Sequence, residues 1–207
     1  KIFWFGLDNA KMSEGTKLVL KLLLVTAQRK SEVTHAEWSE IDLKNGWWTI
    51  PKEKSKNERT HRVPLSEMAI NILEKAKELS SDSRWVFPSI KGLPITPRSI
   101  SRAIRNNSKE RSPGSSKHTP PYGDSFNIPH FTPHDLRRTA TSMMTSLKIA
   151  EIDVSKILNH TIQTVTSKHY NLYSYDNEKQ SALRMWSRRL GTIISGKTEE
   201  NLIQLRK

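Results

Sequence analysis

The chain has 207 residues, enough for one sizeable domain or at most two small ones, and its 35% hydrophobic content supports a packed core. Lys and Arg outnumber Asp and Glu by 34 to 21, and a net charge of +13 is typical of a domain that meets a polyanion, with nucleic acid the first candidate. The lack of cysteine excludes disulfides, thiolate metal sites and a cysteine nucleophile, and no apolar run is long enough to span a membrane.

The first half of the chain predicts a central helix followed by a small sheet. Residues 1–12 begin on Lys rather than Met and show no signal-peptide pattern, so we expect them to be a linker remnant of a longer protein. Ser13 to Gln28 is apolar nearly all round, which predicts a central helix, and a short second helix follows from Lys30. Trp47 to Ile50 and Thr60 to Leu65 have strand character, and the lysine-rich PKEKSKNER between them predicts a hairpin with an exposed basic turn.

The middle of the chain predicts two more helices and a long loop. Ser66 suits the N-cap of a helix with an apolar stripe, and WVFP follows as a short buried strand or turn. Pro97 to Arg105 predicts a helix that displays three arginines, either as a solvated face or as a face that tracks phosphates. Residues 106–129 are rich in Ser, Pro, Gly, Lys and His, and a loop of this length is normally functional or disordered.

The stretch FTPHDLRR predicts the start of a helix. Thr132 suits the N-cap, Pro133 the first helical position and Asp135 the first turn. Two short helices are expected to follow, in AEIDVSKILNH and TIQTVTSKHY, and a last amphipathic helix from Asp176 to Leu190.

Two pairs of side chains suggest an anion site. His134 and Arg137 lie three apart on one face at a helix N-terminus, where free N–H groups and the helix dipole favour an anion and an arginine fork binds two phosphate oxygens. A capping cluster with incidental surface charge is the alternative. Arg29 follows the apolar helix, and Glu32 either orients it toward a ligand or forms a structural ion pair with it.

An ordered series of motifs resembles a known family. TAQRKSE, the lysine-rich hairpin before RVPLS, TPHDLRRT, LNH and a tyrosine ten residues later resemble the tyrosine recombinase (phage-type integrase) catalytic domain, close to the island and satellite-phage group. The resemblance runs from about Thr16 to Trp186. It implies an α+β fold, mainly α-helical with a small antiparallel sheet or hairpin, over residues 13–190. Residues 191–207 would then be a C-terminal tail that is exchanged between protomers.

The resemblance also implies a role for individual residues. Arg29 and Arg137 match the arginines that bind the scissile phosphate. His134 and His160 match the two histidines of the site, and Glu32 matches the supporting acidic residue. Lys56 matches the lysine that protonates the leaving oxygen. Tyr170 matches the nucleophile. Lys54 competes with Lys56, and Tyr173 and Tyr175 compete with Tyr170 but are expected to pack at the start of the last helix. The usual glycine before His160 is replaced by Asn159, which also tolerates the left-handed conformation.

An enzyme of this family cleaves and rejoins DNA strands through a 3′-phosphotyrosine, without metal, ATP or another cofactor. The implied partner is double-stranded DNA at attachment sites. The protein would be a monomer without DNA and a homotetramer on it, with DNA-bending proteins as accessories. It would act in the bacterial cytoplasm at the nucleoid and not at a membrane. The basic residues that we expect to contact this DNA are Lys54, Arg59, Arg98, Arg102, Arg105 and Arg138.

Three other interpretations remain open at the level of sequence. IDVSKILNHTIQTVTSKHY resembles a helix-turn-helix, which would make the chain a non-catalytic DNA-binding regulator but leaves Arg29 and PHDLRR unexplained. A type IB topoisomerase-like enzyme would keep the same chemistry without strand exchange. A metal site would draw on His118, His130, His134 and His160, although no pair of them has the close helical spacing of metal ligands.

Overall fold

The computed structural model describes residues 1–108, 122–160 and 173–196. Within these ranges the chain forms helices around one small sheet, which confirms the predicted mainly helical α+β class. The helices are α1 (Ile2–Asn9), α2 (Glu14–Thr26), α3 (Lys30–Thr34), α4 (Glu67–Ser80), α5 (Pro97–Asn106), α6 (Pro133–Ser146), α7 (Glu151–Ile157) and α8 (Asp176–Ser195). The strands are β1 (Ile41–Asp42), β2 (Trp47–Ile50) and β3 (His61–Pro64). None of the described helices is long and apolar enough to cross a membrane.

Helix α2 lies at the centre of the core, as its sequence predicted. Most of its residues are buried, and it packs against α4, α6 and α8. The helix begins after Ser13, whose Oγ accepts a hydrogen bond from the backbone N–H of Thr16 at 3.2 Å. It ends at Ala27, which adopts a left-handed φ of 56° and turns the chain directly before Arg29.

The sheet carries the predicted hairpin. β2 is antiparallel to both β1 and β3, and Trp48 lies opposite Ile41 on one side and Val63 on the other. Trp48 and Ile50 are buried and alternate with half-buried neighbours, as the two-residue period of a strand requires. The hairpin connection, residues 51–60, therefore leaves the sheet at a fixed point of the core.

Helix α6 starts where the sequence predicted. The Asp135 carboxylate accepts hydrogen bonds from the backbone N–H of Thr132 at 2.9 Å and from its Oγ1 at 2.7 Å, which completes a capping box, and Pro133 occupies the first turn. Leu136, Ala140 and Met144 are buried. Since α6 packs against α2, this face fixes the first turn of α6 near the end of α2.

Two terminal segments differ from the sequence prediction. Residues 1–12, predicted as a linker, contain α1, whose Leu7 is fully buried and whose Phe3 packs against Phe126 and Phe131. An eight-residue helix is too short to show a clear apolar period. At the other end, α8 continues beyond Leu190 to Ser195. The helix predicted within TIQTVTSKHY and most of the predicted tail lie outside the described residues.

Candidate active site

One pocket brings together five of the six residues that the sequence predicted as catalytic. Its volume is 580 Å³. Its lining residues are Arg29, Lys56, Asn57, His134, Arg137 and His160. The sixth predicted residue, Tyr170, lies outside the described residues. The pocket is formed where the ends of α2 and α7, the first turn of α6 and the hairpin connection meet.

Arg29 is oriented by Glu32. The backbone N–H of Arg29 donates to Glu32 Oε2 at 2.8 Å, and Arg29 Nη1 donates to Glu32 Oε1 at 3.0 Å. The Glu32 side chain is only 1% exposed, so the ion pair is held inside the protein. The sequence left open whether Glu32 forms a structural ion pair with Arg29 or orients it toward a ligand. The buried ion pair does both, because it also aims the guanidinium at the pocket.

Arg137 is held by backbone carbonyls at two helix ends. Its Nη1 donates to the carbonyl oxygen of Ala27 at 2.7 Å, and its Nη2 donates to that of Leu158 at 2.6 Å. Burial, followed by repulsion from Arg29, lowers the pKa of Arg137 to about 10, so the group stays charged near neutral pH. No carboxylate among the described residues forms an ion pair with it. A buried charge that is held by carbonyl dipoles, with only the charge of Glu32 nearby to offset it, favours an anionic ligand.

The two histidines line the same pocket as Arg137. His134 is exposed on the first turn of α6, and His160 follows α7 with its Nε2 at 3.3 Å from Arg137 Nη2. Burial, then the charges of Arg137 and Arg29, lower the pKa of His160. The imidazole of His160 is therefore neutral near pH 7. Since Arg137 is a donor, Nε2 acts as the acceptor and the proton lies on Nδ1.

The structure separates the two candidate lysines of the hairpin. Lys54 Nζ donates to the His35 carbonyl oxygen and to Glu37 Oε1, each at 2.8 Å, and it also pairs with Glu40. Lys56 is exposed at the pocket and has no hydrogen-bond or ion-pair partner within the described ranges. Lys56 therefore stays the candidate proton donor, and the ion pairs of Lys54 give it a structural role, while its contact with DNA stays a prediction.

Sequence reasoning identified Asn159 only as a tolerated replacement for glycine. It does adopt the left-handed conformation, with φ of 49°. Its backbone carbonyl accepts hydrogen bonds from Arg29 Nη2 at 3.3 Å and from Asn57 Nδ2. Its side-chain Nδ2 donates to Ser55 Oγ at 2.9 Å. Residues of the hairpin and of the arginine cluster therefore meet at Asn159.

A buried histidine ties the same helix end to the sheet. His61 on β3 is 6% exposed, and its Nε2 lies 3.0 Å from the carbonyl oxygen of Ile157. Burial is the main cause that lowers the pKa of His61 to about 4, and the charge of Lys179 acts in the same direction. His61 is thus a neutral donor to the last turn of α7.

A second, adjoining pocket of 370 Å³ extends from the arginines toward α5. It adds Lys30, whose Nζ donates to Ser101 Oγ at 2.8 Å, and the N-terminus of α6. On α5 the three predicted arginines, Arg98, Arg102 and Arg105, are exposed. Lys30 was not predicted, because a lysine at the start of a short helix has no sequence pattern that separates it from a surface charge.

The remaining predicted contacts are also on the surface. Arg59 is exposed in the hairpin connection, and Arg138 is exposed and forms an ion pair with Asp135 at 3.4 Å. The considered histidine metal site has no matching group of three ligands among the described residues, and His118 lies outside them.

The two competing tyrosines make contacts of their own. Tyr173 Oη donates to Glu178 Oε1 at 2.9 Å, and its ring lies 4.9 Å from that of Tyr175. The hydrogen bond to Glu178 raises the pKa of Tyr173, which disfavours its phenolate. Tyr175 forms the N-cap of α8, and Lys156 lies over its ring at 4.6 Å. Both therefore pack at the start of the last helix.

Comparison with known proteins places this site in a family context. The sequence model described as the Phage integrase family matches residues 7–176. Prophage integrase IntA of Escherichia coli (strain K12) is 36% identical over 99 residues, which cover 47% of this chain and 24% of IntA. Prophage integrase IntF of the same strain is 26% identical over 213 aligned positions, which cover 98% of this chain and 40% of IntF.

A solved structure shares the fold. A lambda integrase tetramer bound to a Holliday junction matches with a TM-score of 0.55 and 22% identity, covering 81% of this chain and 45% of that one. The chain spans less than half the length of each of these three proteins.

Proposed function

The chain belongs to the phage integrase family, and from this premise we propose that it is the catalytic domain of a site-specific DNA recombinase. It would cleave and rejoin DNA strands through a 3′-phosphotyrosine, and so integrate or excise a mobile element or prophage. The observation that carries the proposal is the pocket shared by Arg29, Arg137, His160 and Lys56. It offers to one phosphodiester two fixed guanidinium groups and the ammonium group of Lys56, which has no partner among the described residues.

The arginines would bind the scissile phosphate. Arg29 is aimed by Glu32 and Arg137 by two carbonyls, so their N–H groups need little reorganisation to donate hydrogen bonds to the non-bridging oxygens. His134 and His160 would complete the ring of donors, His160 through the Nδ1 proton. These groups would stabilise the added negative charge of the pentacoordinate transition state.

Tyr170 would be the nucleophile. Its phenol, with an ordinary pKa of about 10, would lose its proton to solvent beside the cationic cluster. Its Oη would then form a bond to phosphorus as the bond from phosphorus to the 5′ oxygen breaks. Lys56 would give its proton to that oxygen, which leaves as a hydroxyl. Attack by a 5′ hydroxyl from the same or another strand would reverse the steps and release Tyr170.

The ester to tyrosine would conserve the energy of the broken bond, so the cycle needs neither ATP nor another cofactor. Cationic side chains would supply the charge stabilisation that metal ions supply in two-metal nucleases. A homotetramer on two attachment sites is the proposed assembly, with monomers in the absence of DNA and DNA-bending proteins as accessories. Its support is the likeness in fold to a lambda integrase tetramer bound to a Holliday junction. Residues 191–207 would be exchanged within that tetramer, and the enzyme would act in the cytoplasm at the nucleoid.

A DNA substrate with a nick close to the cleavage position tests the proposal. Cleavage releases the short leaving strand and traps the covalent intermediate, so the protein should migrate with labelled DNA after boiling in detergent and chelator. Tyr170→Phe should abolish this adduct, whereas Tyr173→Phe and Tyr175→Phe should retain it. A gel shift with no covalent adduct would instead support the non-catalytic regulator. Relaxation of supercoiled plasmid without strand exchange would support the topoisomerase-like enzyme.

A further inference from the structure

Asn159 connects the hairpin connection (residues 51–60) to Arg29, through its side-chain amide and its backbone carbonyl. The side-chain Nδ2 donates to Ser55 Oγ at 2.9 Å, and the backbone carbonyl accepts from Asn57 Nδ2. Ser55 and Asn57 are the two neighbours of Lys56 in the chain. A single residue at the end of α7 therefore binds the side chains of both residues that flank Lys56.

The side chain of Lys56 has no comparable support of its own. It is exposed at the pocket, and within the described ranges it has no hydrogen-bond or ion-pair partner. Ser55, in contrast, is 5% exposed, so its hydroxyl is a buried acceptor for the Asn159 amide. The position of the Lys56 ammonium thus depends on how firmly the backbone of residues 55–57 is held.

The same carbonyl of Asn159 also accepts a hydrogen bond from Arg29 Nη2 at 3.3 Å. Asn159 consequently contacts one residue proposed to bind the phosphate and both neighbours of the residue proposed to protonate the leaving oxygen. We propose that Asn159 is a positioning residue that sets the distance between Lys56 and the bound phosphate, an inference that rests on the proposed function. Glycine would supply the same backbone conformation but not the bond to Ser55.

Asn159→Gly isolates the amide contribution. Glycine adopts a positive φ without strain, and the backbone carbonyl that binds Arg29 and Asn57 is retained. Ser55→Ala removes the same hydrogen bond from the other side. The matched control is Glu53→Gln, an exposed change in the same connection away from Asn159, which should cleave at the wild-type rate.

Two DNA substrates distinguish positioning of Lys56 from general damage. One carries the ordinary oxygen at the 5′ bridging position and the other carries sulfur, whose thiolate leaves without a proton. In single-turnover cleavage at saturating DNA, Lys56→Ala should be slow with oxygen and recover with sulfur. We expect Asn159→Gly and Ser55→Ala to be slower by about tenfold with oxygen and to recover to about the wild-type rate with sulfur. The double variant should be no slower than either single variant.

Several results would overturn the proposal. If the variants lose cleavage rate equally with both substrates, Asn159 acts on the phosphate-binding arginines or on folding. If the variants cleave the oxygen substrate at the wild-type rate, the hydrogen bond has no role.

Amide hydrogen exchange provides a readout that needs no DNA. Asn159→Gly should speed exchange at residues 55–58 by about tenfold while leaving the amides of α2 unchanged, and unchanged exchange at residues 55–58 would remove the basis of the proposal. If the wild type forms no adduct, the proposed function fails, and the exchange result still decides whether Asn159 holds the hairpin.

Discussion

Arg137 donates a hydrogen bond of 2.6 Å to the carbonyl oxygen of Leu158, and this contact joins the first turns of α6 to the end of α7. The other arm of the guanidinium reaches Ala27 at the end of α2. Three helices thus have their relative positions fixed through one cation. The proposed phosphate ligand would bind to a group that already holds the surrounding fold in place.

Arg137→Lys should separate geometry from charge. Lysine keeps the positive charge but cannot reach both carbonyls and a phosphate at once. Formation of the covalent DNA adduct should fall by about 100-fold or more. Quantitative adduct assays measure this, and Arg138→Lys on the exposed face of the same helix serves as the control. An equal loss in both variants would contradict a specific role for Arg137.

The hairpin lysines should show opposite effects on stability and activity. Lys54→Ala leaves Glu37 and Glu40 without their shared cation, and we expect the free energy of unfolding to fall by about 1–3 kcal/mol. Lys56→Ala removes an exposed side chain, and the free energy should change by less than about 0.5 kcal/mol while cleavage is lost. Urea denaturation together with the adduct assay checks both. A stable, inactive Lys54→Ala protein would instead make Lys54 the proton donor.

Glu32→Gln should weaken the support of Arg29. The buried carboxylate accepts from the backbone N–H and from Nη1 of Arg29, and a neutral amide retains only part of this interaction. The free energy of unfolding should fall by about 1–3 kcal/mol, and the apparent affinity for DNA should fall with it. Glu74→Gln, an exposed change on α4, is the matched control for stability. Equal stability of the two variants would contradict the buried ion pair as a support.

Acid should destabilise the protein through His61. Burial holds its pKa at about 4, below the ordinary value of about 6.5, so the unfolded chain binds the proton more tightly than the folded one. The contribution of neutral His61 to the free energy of unfolding is therefore complete above about pH 6.5 and declines as the pH falls toward 4. The free energy of unfolding should fall by about 3 kcal/mol across this window. Urea denaturation from pH 7 to pH 4 should show a smaller decline in His61→Gln than in the wild type or in His134→Gln.

The exposed arginines of α5 should contribute to DNA affinity through counterion release. If Arg98, Arg102 and Arg105 each contact a phosphate, changing all three to glutamine should reduce the slope of log affinity against log salt by about 3. Titrations at several salt concentrations measure the slope. The control is Lys75→Gln, which removes one exposed charge from α4 and should leave the slope unchanged. The wild-type chain should itself bind weakly and with steep salt dependence.

His134 and Arg137 could be singled out from the sequence because helix-start chemistry is local, whereas the role of His160 came only from the family resemblance. Thr132, Pro133 and Asp135 fix the start of α6, and the spacing from that point positions His134 and Arg137. The choice between Lys54 and Lys56 was not predictable, because it depends on Glu37 and Glu40, which approach only when the chain folds.

The role of Asn159 was not predictable for a related reason. Its partners Arg29, Ser55 and Asn57 are far away in the sequence, and a single side-chain amide carries no periodic pattern. Helix α1 was missed because eight residues show little periodicity, although Leu7 is fully buried in the core. Elements defined by local chemistry could be predicted, and contacts made by loops could not.

The carbonyl oxygens that hold the two arginines belong to Ala27, Leu158 and Asn159. Every amino acid carries the same carbonyl, so this anchoring depends on where the helices end and not on which side chains stand there. Substitutions at Ala27 and Leu158 that keep the backbone path should therefore leave the arginines in place. Ala27 is fully buried with a positive φ and Leu158 is 4% exposed, so a replacement must still fit the core, and one that fits keeps the same arrangement of charge.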